Sequence, residues 1–122
     1  MADDARERGR NKRAELWGEA ALTRLADIEK FDEGFAKILN DTCFGEVWGR
    51  PGLPTKVRSM ITMAVLTALG RWPQLKGHMQ AALHVGVTEQ EVKEVLIHVS
   101  QYAGVPVTVE SIKVFNEVTQ KK

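Results

Sequence analysis

Between Pro54 and Gly70 the chain places Val57, Met60, Ile61, Met63, Ala64, Val65, Leu66 and Leu69 so densely that a helix there keeps almost no polar face. A segment of that kind needs partners on several sides, and the rest of the chain offers only helices to supply them. Ala14, Trp17, Ala21, Leu25 and Ile28 recur at steps of three and four residues, which predicts a first helix over residues 11–28. Phe31, Phe35, Ile38, Leu39 and Thr42 repeat the pattern and predict a second helix running into Cys43 and Phe44. Pro73 suits the first turn of a helix over 73–85, following a left-handed stop at Gly70. Thr88 with Glu91 spells a capping box, and Val92, Val95, Leu96, Val99 and Tyr102 form the stripe of the helix it opens. Gly104 and Pro106 close that helix and open a last one through Ile112, Phe115 and Val118. No alternating strand pattern is present, so the fold class is all-α, a compact bundle of about six helices.

With 122 residues the chain is the size of one domain, and a charged arm over residues 1–13 followed by a single helical domain over 14–122 is the expected organisation. A net charge of +1 gives no summed field to draw the protein to nucleic acid or to an anionic membrane. Met60–Gly70 is too short to span a bilayer, which needs about 20 apolar residues. The single cysteine excludes an internal disulfide, and the charged amino terminus does not read as a secretory signal, so a cytoplasmic protein is expected.

The segment Gly45–Pro54, GEVWGRPGLP, carries three glycines and two prolines and reads as a loop between buried helices. It brings Glu46, Trp48 and Arg50 within five residues: a proton shuttle, an apolar wall and a carboxylate fork, or else a surface turn. Arg58 lies on the apolar helix and Arg71 at its carboxyl end, where it can equally neutralise the helix dipole. His78 shares a helix face with Gln74, Ala81, Ala82 and Val85, which suits a general acid or base beside free space and suits a hydrogen-bonded core histidine as well. His84 and His98 lie off their apolar stripes and read as ordinary polar residues. His78 and His84 are six residues apart, which puts them on different faces, and no metal site is expected. Cys43 is a thiolate candidate only beside a cation; an inert buried thiol is the favoured reading.

His78, Ala82, Gly86 and Glu91 follow the pattern His-x-x-x-Ala-x-x-x-Gly with a glutamate opening the next helix, which resembles the carboxymuconolactone decarboxylase and alkylhydroperoxidase D superfamily. CFGEVWGRPGL from Cys43, RSMITMAVLTALGRW from Arg58 and YAGVP from Tyr102 are similar to the decarboxylase branch in particular. Where the peroxidase branch carries its CxxC and its relay glutamate this chain has Arg71, Gln74 and Ser59, which leaves that redox mechanism without participants.

The resemblance implies a cofactor-independent decarboxylation of 4-carboxymuconolactone to the enol-lactone of 3-oxoadipate, in aromatic catabolism, by a homo-oligomer, a trimer or hexamer. Under it His78 returns the proton to carbon and Glu46 orients or recharges it. Arg58 and Arg50 hold the spectator carboxylate and the lactone oxygen, Arg71 assists, and Trp48 and Cys43 line the substrate. The alternatives are the same fold acting on another unsaturated acid or lactone, or a non-catalytic oligomeric binding protein.

Overall fold

The computed structural model describes residues 4–120, all of whose regular structure is helical. Seven α-helices and one π-helical segment occur where about six helices were expected: α1 (Ala5–Trp17), α2 (Ala20–Phe31), α3 (Glu33–Lys37), the π-helix (Ile38–Val47), α4 (Thr55–Leu69), α5 (Trp72–His84), α6 (Glu89–Ala103) and α7 (Val105–Thr119). None of them is long and apolar enough to cross a membrane. They group into two compact units, one ending at Pro54 and one beginning at Thr55.

In the first unit the helix expected over 11–28 is two helices. Gly18 adopts a φ of +68°, a left-handed conformation that ends α1 and lets α2 start afresh at Ala20. The charged arm, read in the sequence as a solvated segment able to join the first helix, does join it. Residues 1–3 lie outside the described residues, but from Ala5 onward it is α1, with Asp4 capping the helix through Arg6 N–H and with Gly9 and Arg13 buried. A stretch dense in charge folds because α1 packs against the π-helix at close range. A Cβ added at Gly9 would run into the carbonyl oxygen of Asn40, and one added at Gly45 into that of Ala5, so each helix lets the other's backbone come close at a glycine of its own. Asn40 Nδ2 then donates to the Arg6 carbonyl at 3.0 Å, and Arg8 Nε to the Gly45 carbonyl at 3.2 Å. Leu16, Ala21, Leu25, Ala36, Phe44 and Trp48 supply the core of this unit.

The π-helix replaces the carboxyl half of the expected second helix and the start of the expected loop. Its register shows at the end, where Trp48 N–H donates to Cys43 O, five residues back, at 2.9 Å. Only Trp48–Pro54 lies outside helix between the π-helix and α4. Ten residues of this rare geometry are far more than the usual single-turn bulge, and such segments recur at functional sites.

In the second unit the local signals place the helices within a residue or two. Gly70 at φ +71° ends α4, Pro73 sits in the first turn of α5, and Gly104 at φ +105° separates α6 from α7. The capping box closes as expected: Glu91 N–H donates to Thr88 Oγ1 at 3.0 Å and Thr88 N–H to Glu91 Oε1 at 2.9 Å. Those bonds and Lys56, whose Nζ lies 3.1 Å from the same carboxylate, hold the Glu91 carboxyl below the usual range. Thr88→Ala is expected to cost about 1 kcal/mol, read as a lower urea midpoint with an unchanged slope.

Met63 of α4, Leu75, Met79 and Ala82 of α5, Val92 and Leu96 of α6 and Val114 of α7 form one buried cluster, completed by Val87. Helix α4 is less enclosed than its composition suggests. It buries Ser59, Met63 and Thr67, while Ile61, Val65 and Leu69 on the opposite side remain 47%, 50% and 63% exposed. A chain with three neighbouring helices in this unit covers one side of α4 and no more.

Candidate active site

The first unit carries four of the residues singled out in the sequence. Cys43 and Glu46 stand on the π-helix rather than in a loop, because the helical hydrogen bonds continue past Gly45. Glu46 is exposed and Cys43 half-buried. Burial pushes the Cys43 thiol above its ordinary range, and the Arg13 guanidinium acts weakly in the opposite sense, so at neutral pH the group is a thiol. Trp48 is buried and its ring stacks on Phe44 with centroids 5.6 Å apart. Phe44 in turn meets Trp17 edge-on at 5.7 Å, so the Trp48 indole belongs to a three-ring ladder. Arg50 is exposed, in a turn closed by its N–H on Val47 O at 3.1 Å.

The second unit carries the rest. Arg58 is half-buried on α4 with its Nε out of solvent, and its carbonyl accepts from Thr62 Oγ1 at 2.8 Å. Arg71 is exposed just past the end of α4, with its N–H on Leu66 O at 2.9 Å, the place where a cation meets the helix dipole. His78 is half-buried on α5 with Nδ1 out of solvent, and the residues one turn on, Ala81 and Ala82, are buried. His84 and His98 are exposed, and His98 stacks on Tyr102 at 5.3 Å. A half-buried imidazole among small residues can donate or accept a proton under partial desolvation, and a half-buried guanidinium can hold an anion more firmly than an exposed one.

Arg13, read in the sequence as part of a charged arm, was missed. It is 4% exposed, lies over the Phe44 ring at 5.2 Å and the Trp17 ring at 5.8 Å, and donates from Nη2 to Ala21 O at 3.2 Å. Its spacing of four from Trp17 could have signalled a shared face; the seven other charges of residues 1–13 hid it.

The chain is 40% identical over 120 residues to a 4-carboxymuconolactone decarboxylase of Acinetobacter baylyi, covering 97% of this chain and 90% of that protein. It is 30% identical over 110 residues to a nitrosuccinic acid decarboxylase of Metarhizium robertsii, covering 87% of this chain and 77% of the relative. A third relative, an uncharacterized 15.0 kDa protein of Paracoccus denitrificans, is 30% identical over 77 residues, 62% of this chain and 58% of its own length. A model of the carboxymuconolactone decarboxylase family matches residues 33–117, from the start of α3 to near the end of α7, and with it the π-helix, α4 and the histidine helix. The chain belongs to the carboxymuconolactone decarboxylase family.

Proposed function

We propose that this protein is a carboxy-lyase that removes carbon dioxide from 4-carboxymuconolactone, giving the enol-lactone of 3-oxoadipate, without a cofactor. The observation that carries this reading is His78: an imidazole half out of water, on a face of small buried residues, at the position of the family pattern. When the carboxylate leaves, its electron pair spreads through the adjacent double bond to the lactone carbonyl, so negative charge develops on an oxygen that a cation can stabilise. The ring is the electron sink, and the remaining task is to return one proton to carbon. His78 is the proton donor in this reading, with Glu46 recharging it. Arg58 and Arg50 are the anion holders, Arg58 the stronger because it is the less exposed of the two, and exposed Arg71 the weaker third. Trp48 and Cys43 contribute apolar surface against which a carboxylate is poorly solvated.

Replacing Arg58 by alanine is expected to lower kcat/KM by about 10²–10³, the usual effect of losing one oxyanion donor, and Arg50→Ala by less. The reaction is followed as loss of lactone ultraviolet absorbance. Variants that turn over and bind the lactone as the parent does would remove the anion-holding role. The nitrosuccinic acid decarboxylase relative favours a second reading, an acyclic anionic acid as substrate on the same residues. Nitrosuccinate offered beside the lactone separates the two by their kcat/KM ratio.

We also propose that the protein is a cytoplasmic homo-oligomer, a trimer or hexamer. Exposed Ile61, Val65 and Leu69, in a stretch of α4 without a charge from Ser59 to Gly70, support self-association. Light scattering at micromolar concentration that returned the 13.6 kDa monomer mass would end that proposal.

A further inference from the structure

Residues of α1, α2, α3 and the π-helix, all in the first unit, line a cleft of about 630 Å³, a volume that suits a small organic molecule. Its floor is nearly closed to water: Leu25 and Ala36 are each 3% exposed, and Asn40 is 2% exposed. The Asn40 amide is fixed in orientation by two acceptors, since Nδ2 donates to the Arg6 carbonyl at 3.0 Å and to Asp41 Oδ1 at 2.9 Å. Its Oδ1 is thereby left a buried acceptor without a donor among the described residues, an arrangement that folded proteins normally avoid. The rim is charged, with the carboxylates of Glu29, Glu33 and Asp41 set against the two cations Arg6 and Lys37, so one negative charge is in excess. Arg6 and Arg10 reach Glu29 only at 3.9 Å and 3.8 Å. Glu33 and Lys37 stand one turn apart on α3, yet neither forms an ion pair among the described residues. No group of acidic, histidine or cysteine side chains among the described residues is placed to hold a metal ion, so the donor that fits this cleft is an organic one.

We propose that this cleft binds a small molecule bearing a protonated primary amine on a short aliphatic chain. An ammonium group offers three N–H donors and no acceptor, so it matches the Asn40 oxygen at the base of the cleft together with the carboxylates of Asp41 and Glu33. Asp41 is held beside that amide by the bond it accepts from Asn40 Nδ2. Leu25 and Ala36 give the methylene chain an apolar bed. Lys37 on the rim suits the carboxylate of an amino acid and repels the second ammonium of a diamine, which makes the two sources of such an amine separable. None of these residues has a part in the decarboxylase reading, and the proposal does not rest on it.

The test is titration calorimetry of the full chain, at fixed ionic strength, with L-lysine, with 1,5-diaminopentane, which is lysine without its carboxylate, and with hexanoate, which has the chain and a carboxylate but no amine. At least one amine is expected to bind with a Kd below about 1 mM, and hexanoate about tenfold more weakly or not at all. Asn40→Leu keeps the size of the side chain, removes the acceptor and should abolish binding. Because that change also breaks the bonds to Arg6 and Asp41, the exposed Glu33→Gln decides the matter if it does not fold. Glu33→Gln should raise the amine Kd about fivefold while the helical circular dichroism stays at the parental value. L-lysine bound more tightly than the diamine, with that advantage lost in Lys37→Gln, supports the site and assigns it to an amino acid; the diamine bound at least as tightly supports it and assigns a polyamine. Hexanoate binding as well as the amines, neither amine saturating below about 10 mM, or an unchanged Kd in Glu33→Gln overturns the proposal. Lactone turnover has no part in the test, so the decarboxylase reading stands or falls separately.

Discussion

His78→Ala is expected to lower turnover of 4-carboxymuconolactone by about 10²–10⁴, the usual worth of a general acid. The loss should appear in kcat and in kcat/KM alike, because proton return matters in the transition state and adds little to ground-state binding. A purely structural histidine would behave differently. Its removal from a face lined by the buried methyls of Ala81 and Ala82 would lower the unfolding temperature and leave the rate per folded molecule alone. Added imidazole separates the cases, since the space vacated by the side chain can admit the free base and restore part of the rate only where the proton transfer itself was lost. Full activity in His78→Ala would remove the acid from the mechanism.

The largest stability effect is expected at Gly9, in the interior of α1. On an exposed helix Gly→Ala is worth about 1 kcal/mol of stability, because alanine has less backbone freedom to lose. Here the added methyl would meet the backbone carbonyl of Asn40, which cannot rotate away as a side chain can. The outcome is a net cost of about 3 kcal/mol, with an unfolding temperature lower by roughly 10 °C. Gly77 on α5 is the internal control. Among the described residues nothing lies within 4 Å of a Cβ built there, so Gly77→Ala should raise stability by about 0.5–1 kcal/mol. Gly9→Ala matching or exceeding the parent in thermal or urea unfolding would show that α1 and the π-helix do not need their backbone contact.

The contrast between those two glycines runs through the whole molecule. Both are unremarkable in a helical pattern, and only a partner thirty-one residues away distinguishes them. Glu46 was placed in a loop for the same kind of reason. Its neighbours Gly45 and Gly49 argue against a regular α-helix, and correctly so, but a π-helix held against α1 accommodates them, with Arg8 accepting the role of partner to the Gly45 carbonyl. The family resemblance pointed to His78, Arg58 and Arg50 by type and spacing, with Arg71 a weaker third, and in the structure Arg58 is half-buried while Arg50 and Arg71 are exposed. Arg13 was passed over altogether, since a run of mixed charge is normally a solvated face.

What could be read along the chain was whatever a single turn decides: the left-handed stops at Gly70, Gly86 and Gly104, the proline in the first turn of α5, the capping box of Thr88 and Glu91, and through them the all-helical class and the helix that carries His78. Such features depend on steric and hydrogen-bonding choices among residues within four or five positions of each other. The π-helix, the depth of Arg13 on its aromatic ladder and the bare side of α4 were settled in three dimensions. Burial and close backbone approach are set by partners distant in sequence, and no local pattern encodes which side of a helix those partners will cover.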